Sequence, residues 1–146
     1  MIDLSKFAEN LSSCMQERNI NAPALATAVK TDRSNITRYL RGERLPSFDG
    51  FVVLCDYFNV SADVLLGLKD FVNERNFLPV VDFDKRLRRV MSETKITQYR
   101  IEKDTGISGA SMYKWLFGLS KPSVENLERL ADYMDVSIDY LLGRIE

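Results

Sequence analysis

The sequence predicts an all-α chain built from two tandem five-helix units. Three observations lead there. Residues 7–67 align with residues 83–143 at a shift of 76 without a gap, giving 18 identical pairs in 61 positions. Self-similarity of that length marks a duplicated structural unit. Within each copy, apolar residues recur at i, i+3 and i+4, the period of a helix with one buried stripe, and no segment alternates convincingly as a strand. Ser, Thr, Asn or Asp precedes these segments and Gly closes several, which are helix start and stop signals. The copies are residues 1–68 and 83–146, joined by a connector at 69–82.

The first helix of copy 1 is predicted from about Asp3 to Arg18, with Leu4, Phe7, Leu11, Cys14 and Met15 on one face. Its echo, about 81–94, uses Phe83, Leu87, Val90 and Met91. The second helix starts at the N-cap Asn21 or Thr97. Pro23 falls early in it, where a missing N–H is tolerated. Its buried positions are Leu25, Ala26 and Val29, or Ile101 and Thr105. A tight turn follows, where Gly106 suits a positive φ. Lys30 stands there in copy 1 and would cost about 1 kcal/mol at the same angle.

The third helix occupies Asp32–Gly42 and Ser108–Gly118. Ile36, Tyr39 and Leu40, or Met112, Trp115 and Leu116, form its apolar stripe, and the opposite face is small, polar or basic. Tyr39 and Trp115 share the apolar phase, so they are assigned to the core and not to stacking on a ligand. Ser47 or Ser123 caps the fourth helix, with Asp49 or Glu125 placed favourably for the helix dipole. That helix buries Phe51, Leu54, Cys55 and Phe58, or Leu127, Leu130, Ala131 and Met134. A short fifth helix is capped by Ser61 or Ser137 and closed by Gly67 or Gly143. The connector holds Phe71, Val72, Phe77, Leu78, Val80 and Val81. It is unlike a Gly/Ser linker and is expected to pack and to restrict the orientations of the two copies.

A hydrophobic content of 45% and a charged content of 28% suit a globular protein. No apolar run approaches the roughly 20 residues that span a bilayer. Met1-Ile2-Asp3-Leu4 does not open like a signal peptide, so a cytoplasmic location is expected. Cys14 and Cys55 align with Val90 and Ala131 and are expected to be buried free thiols. The chain has no histidine. It therefore lacks the commonest metal ligand and general base. With no phosphate-cradling glycine loop and no paired carboxylates, neither enzymatic activity nor a cofactor is expected. The net charge of −1 conceals a pattern. Lys30, Arg33, Arg38, Arg41 and Arg44 outweigh Asp32 and Glu43, and nine basic residues in 85–121 outweigh Glu93, Glu102 and Asp104. Each basic stretch precedes an acidic one. Such local patches, more than the total, set an electrostatic footprint.

Each copy resembles the helix-turn-helix domain of the phage lambda repressor/Cro type, the xenobiotic-response-element family. The resemblance rests on the second-helix segments Asn21–Val29 and Thr97–Thr105. It rests also on Tyr39-Leu-Arg-Gly42 and Trp115-Leu-Phe-Gly118 closing the third helix. The tail is Pro-Ser, then Cys-Asp-Tyr57 or Ala-Asp-Tyr133, then Val-Ser-x-Asp-x-Leu-Leu-Gly. Each motif alone is weak; their ordered occurrence twice is specific, and it covers nearly all of both copies.

The resemblance implies DNA binding, with the third helix in the major groove and the start of the second against phosphate. Carried over by position, the base-facing residues are Arg33, Ser34, Asn35, Thr37 and Arg38 in copy 1, and Gly109, Ala110, Ser111, Tyr113 and Lys114 in copy 2. Arg33 or Arg38 suits guanine and Asn35 adenine. Gln98 is a phosphate or base candidate that Ala22 cannot match. Arg41, Arg44 and Lys121 are expected on phosphate. Glu102 stands where the family usually has Ala, as at Ala26, and is expected either to loosen the second helix or to turn outward.

The expected function is sequence-specific transcriptional regulation, with repression favoured and double-stranded DNA as partner. A single chain could act as an intramolecular pseudo-dimer on two unlike half-sites about 34 Å apart, or a homodimer could read a palindrome. The alternative is a protein-interaction module, such as an antitoxin or anti-regulator whose helix-turn-helix binds protein.

Overall fold

The computed structural model describes residues 1–74 and 76–146. Among the described residues there are ten helices and no strand. They fall into two compact units, Ile2–Phe77 and Leu78–Glu146. The first holds α1 (Leu4–Glu17), α2 (Ala22–Ala28), α3 (Arg33–Leu40), α4 (Phe48–Phe58) and α5 (Ala62–Leu65). The second holds α6 (Phe83–Thr94), α7 (Gln98–Thr105), α8 (Gly109–Leu116), α9 (Val124–Tyr133) and α10 (Ile138–Leu142).

Short helices of this kind depend on their ends. Asn21, Ser47 and Ser61 in the first unit, and Thr97, Ser108, Ser123 and Ser137 in the second, each accept a backbone N–H into the side-chain oxygen. Asp32 departs from expectation. It occupies the N-cap of α3 with extended backbone, but its side chain makes no cap bond.

The turns repeat even where the residues do not. Asn19, Lys30, Gly42, Asn59 and Gly67 all take positive φ, and so do the residues 76 positions on, Lys95, Gly106, Gly118, Asp135 and Gly143. Lys30 adopts φ 58° where Gly106 adopts 75°. An L-residue is strained there, while glycine loses more chain entropy on folding. A Lys30→Gly variant is therefore expected to be more stable by about 0.5–1 kcal/mol, read as a higher denaturation midpoint. Gly67 has a second constraint, because a Cβ on it would sit 2.8 Å from Lys6 Cβ.

In the first unit α3 packs on α1 and α2, and α5 on α1 and α4. In the second, α8 packs on α6 and α7, and α10 on α6 and α9. Phe7, Leu11, Leu25, Ile36, Phe51 and Leu65 are wholly buried, and Tyr39 meets Phe7 edge to face at 6.2 Å. Leu87, Ile101, Met112, Leu127 and Leu141 fill the second core, with Trp115 buried beside them. Each such side chain contributes roughly 1.5–3 kcal/mol. Tyr39 and Trp115 are thus core residues, as their phase predicts.

The units differ in how the last helix is tied down. Asn10 Nδ2 donates to the Val64 and Leu65 carbonyls at 2.9 and 3.2 Å. At the same place in copy 2, Arg86 donates through Nε to the Tyr140 carbonyl at 2.9 Å and lies over the Tyr140 ring. Arg86 is buried, as is the ion pair of Arg144 and Asp139, joined at 2.7 Å.

Some core expectations need correction. Cys55 is buried but Cys14 only half-buried, and both are free thiols. Burial, then the Glu17 carboxylate, pushes the Cys14 thiol up. Leu4, Val29, Leu40, Met91 and Thr105 are half-buried. The connector is less covered than its composition suggests. Phe71, Leu78 and Val81 are exposed, and Val72, Phe77 and Val80 half-buried. Its Arg75 lies outside the described residues. Leu78 N–H donates to the Arg144 carbonyl at 2.8 Å, which fastens the end of the connector to the second unit. No helix among the described residues is long and apolar enough to cross a membrane.

Candidate nucleic-acid interface

Burial of Ile36 and Tyr39 decides which face of α3 looks out. Arg33, Ser34 and Arg38 on α3 are exposed, followed by Arg41 at its C-cap and Arg44 in the next loop. Arg41 faces Glu43 at 3.9 Å, a surface pair of little energetic weight. Thr37 is half-buried and its Oγ1 donates to the Arg33 carbonyl at 3.1 Å. Asn35 is half-buried and engaged on both sides of its amide. Its Nδ2 donates to Thr31 Oγ1 at 2.9 Å, and its Oδ1 accepts from Arg44 Nη2 at 2.5 Å. The Arg44 guanidinium also lies 5.9 Å from the Tyr39 ring centre. Asn35 and Arg44, assigned separately to base and phosphate, thus form one linked pair. Bidentate contact of Asn35 with adenine must share its amide with Thr31 and Arg44, or displace them.

The α8 face is built differently. Ala110, Tyr113 and Lys114 are exposed, while Gly109 and Ser111 are half-buried, and Ser111 Oγ meets Ser108 Oγ at 3.0 Å. Gln98 is half-buried at the first position of α7, and Lys121 is exposed beyond α8. The Tyr113 and Phe117 rings are 4.6 Å apart, and Phe117, Leu119 and Tyr99 are all exposed. Phe117 is absent from the sequence-based assignment. Its i, i+4 spacing from Tyr113, off the apolar stripe, is the signal that could have found it.

Much of the basic count in copy 2 is engaged within the unit. Arg86 is buried. Arg88 donates to the Leu116 carbonyl at the end of α8 and pairs with Asp84 at 3.6 Å. Arg89 lies between Glu93 and Glu146, at 3.5 and 3.6 Å. Arg100 pairs with Asp104, whose carboxylate also accepts the Tyr133 hydroxyl at 2.5 Å and so pushes the Tyr133 phenol up. These arginines hold the unit together. The cations carried by α8 and the loop after it are Lys114 and Lys121.

Glu102 does not turn outward. It is half-buried, and its carboxylate lies so close over Gly109 that a Cβ there would meet Glu102 Oε1 at 2.8 Å. The pair Glu102/Gly109 replaces Ala26/Arg33, so the large group stands on the third helix in copy 1 (α3) and on the second in copy 2 (α7). A coupling follows. Gly109→Ala should gain up to about 1 kcal/mol in a Glu102→Ala background and gain less, or lose, in the native one. Urea denaturation of the four proteins measures the difference.

No group of side chains among the described residues is arranged to hold a metal ion. Two compact units, each presenting one outward helix on a second, define a helix-turn-helix protein. The family model for the Cro/C1-type HTH DNA-binding domain matches residues 10–70 and again 86–146, and the chain belongs to this family. It is 37% identical over 60 residues to the cryptic phage CTXphi transcriptional repressor RstR of Vibrio cholerae serotype O1 (strain ATCC 39315 / El Tor Inaba N16961). That match spans 41% of this chain and 54% of the relative. No solved structure matches the chain.

Proposed function

We propose that this protein is a sequence-specific transcriptional repressor that lays α3 and α8 into the major groove of double-stranded DNA. The observation that carries the proposal is the outward face of α3. Arg33, Ser34 and Arg38 stand exposed on a helix whose other side is locked by Ile36 and Tyr39. A helix so held presents guanidinium forks to base edges at little further cost in side-chain ordering. Arg41, Lys121 and Gln98 are assigned to phosphate, which fixes register and carries the salt dependence. Asn35 reads a base after Arg44 lets it go for phosphate. The similar phage repressor supports repression as the outcome: a bound chain occupies DNA that transcription needs.

The outward faces of α3 and α8 differ residue by residue, so the two units are assigned to unlike half-sites. One chain then serves as a pseudo-dimer, with residues 69–82 as its tether. Selection of bound fragments from sheared genomic DNA, repeated across salt concentrations, tests this. Two unlike motifs at fixed spacing with steep salt dependence are expected. A palindrome would replace the pseudo-dimer with a homodimer. Absence of enrichment would end the DNA assignment.

A further inference from the structure

Ala110 and Tyr113 on α8 and Phe117 at its C-cap stand at i, i+3 and i+7 and form one exposed stripe. Their counterparts on copy 1 are Ser34, Thr37 and Arg41, all polar. The two aromatic rings are packed on each other at 4.6 Å, yet Tyr113 is 53% and Phe117 63% exposed. Leu119 continues the apolar surface at 67% exposure. The charges on α8 and the loop after it are both positive, although the Asp84 carboxylate, paired with Arg88, lies against Gly118 and that of Glu102 against Gly109. Between Asp104 and Glu125 the chain carries Lys114 and Lys121 and no acidic residue. A cationic setting favours a polyanion, and the stripe requires an apolar group on it. The major groove offers such a group, the 5-methyl of thymine, which is read by apolar side chains of the Ala and Phe type.

We propose that Tyr113 and Phe117 are specificity-determining residues, through which the second unit recognises thymine methyl groups. The proposal rests on DNA binding by α8. Phe117 offers no hydrogen bond, so its discrimination comes from burying a methyl carbon against the ring. Tyr113 adds a ring face and a hydroxyl, and Ala110 permits close approach at the start of the helix. Lys114 supplies the charge that holds the helix in the groove. Copy 1 reads hydrogen-bonding edges and copy 2 reads methyl groups, and this difference makes the half-sites unlike.

The test uses two random-sequence duplex pools, one made with thymidine and one with deoxyuridine, which removes only the methyl group. The full chain and its Phe117→Ala, Tyr113→Ala and Phe117→Leu variants select from each. From the thymidine pool the native chain is expected to enrich a two-part motif with a thymine-containing part. From the deoxyuridine pool that part should vanish while the other remains. Phe117→Ala and Tyr113→Ala should give the reduced motif from both pools, and Phe117→Leu should keep the native difference. At the selected positions, replacing thymine with deoxyuridine should weaken native binding about fourfold per methyl. The same two-part motif from both pools would overturn the proposal and leave DNA binding standing. So would a motif that the alanine variants leave unchanged. Enrichment from neither pool would remove the DNA assignment itself.

Discussion

An Asp139→Ala variant is expected to lose about 3–5 kcal/mol of stability in the second unit. Asp139 is 2% exposed and Arg144 0%, and their side chains meet at 2.7 Å. Removing the carboxylate leaves a guanidinium in a low-dielectric interior without that counter-charge, which costs more than the pair contributes when intact. The first unit carries an apolar residue, Leu68, at the position of Arg144. Asp63 is similarly buried there. A double Asp139→Ala, Arg144→Leu variant should therefore recover most of the loss. The chain has one tryptophan, Trp115, and it sits in the second unit. Its fluorescence during urea denaturation reports that unit selectively. A loss below about 1 kcal/mol in the single variant would mean that the buried charge finds another counterpart.

The fold is legible because the sequence states it twice. Caps such as Ser47/Ser123 and Ser61/Ser137, together with the apolar stripes, place most of the architecture without reference to tertiary contacts. Asp32 and, at the N-cap of α6, Asp82 make no cap bond, because a residue type allows one but does not dictate its rotamer. The candidate site is legible as positions and less so as chemistry. Charge counting alone makes Arg86, Arg88, Arg89 and Arg100 look like an open basic patch. Three of these can be set aside from sequence, since Asp84–Arg88, Arg89–Glu93 and Arg100–Asp104 all stand at i, i+4. Burial of Arg86 cannot, because its partner carbonyl lies 54 residues away. The Asn35–Arg44 bond likewise depends on the path of a loop. Glu102 and Gly109 are each unusual alone. Their packing becomes visible only when α7 and α8 are set together.

Arg38→Ala is expected to weaken binding to the selected DNA by about 1–3 kcal/mol, roughly five- to 150-fold, and to relax preference at one base position. Arg38 stands exposed in the last turn of α3, and its neighbours Ile36 and Tyr39 anchor the helix. The substitution should therefore leave stability nearly unchanged while removing a guanine-type fork. Arg41→Ala is the matched control. Without its phosphate partner at that position, the variant should bind all sequences more weakly alike and show a salt slope smaller by about one. Arg44 would be a poorer control, since its removal also frees the Asn35 carboxamide at 2.5 Å. Arg44→Ala should accordingly combine a uniform loss with a change at the position Asn35 reads. Binding curves for the three variants on the selected sequence and on single-base changes, at several salt concentrations, separate these patterns. If Arg38→Ala and Arg41→Ala give the same profile, α3 does not approach base edges through Arg38. The division between reading and anchoring residues would then have to be redrawn around Arg33 and Ser34.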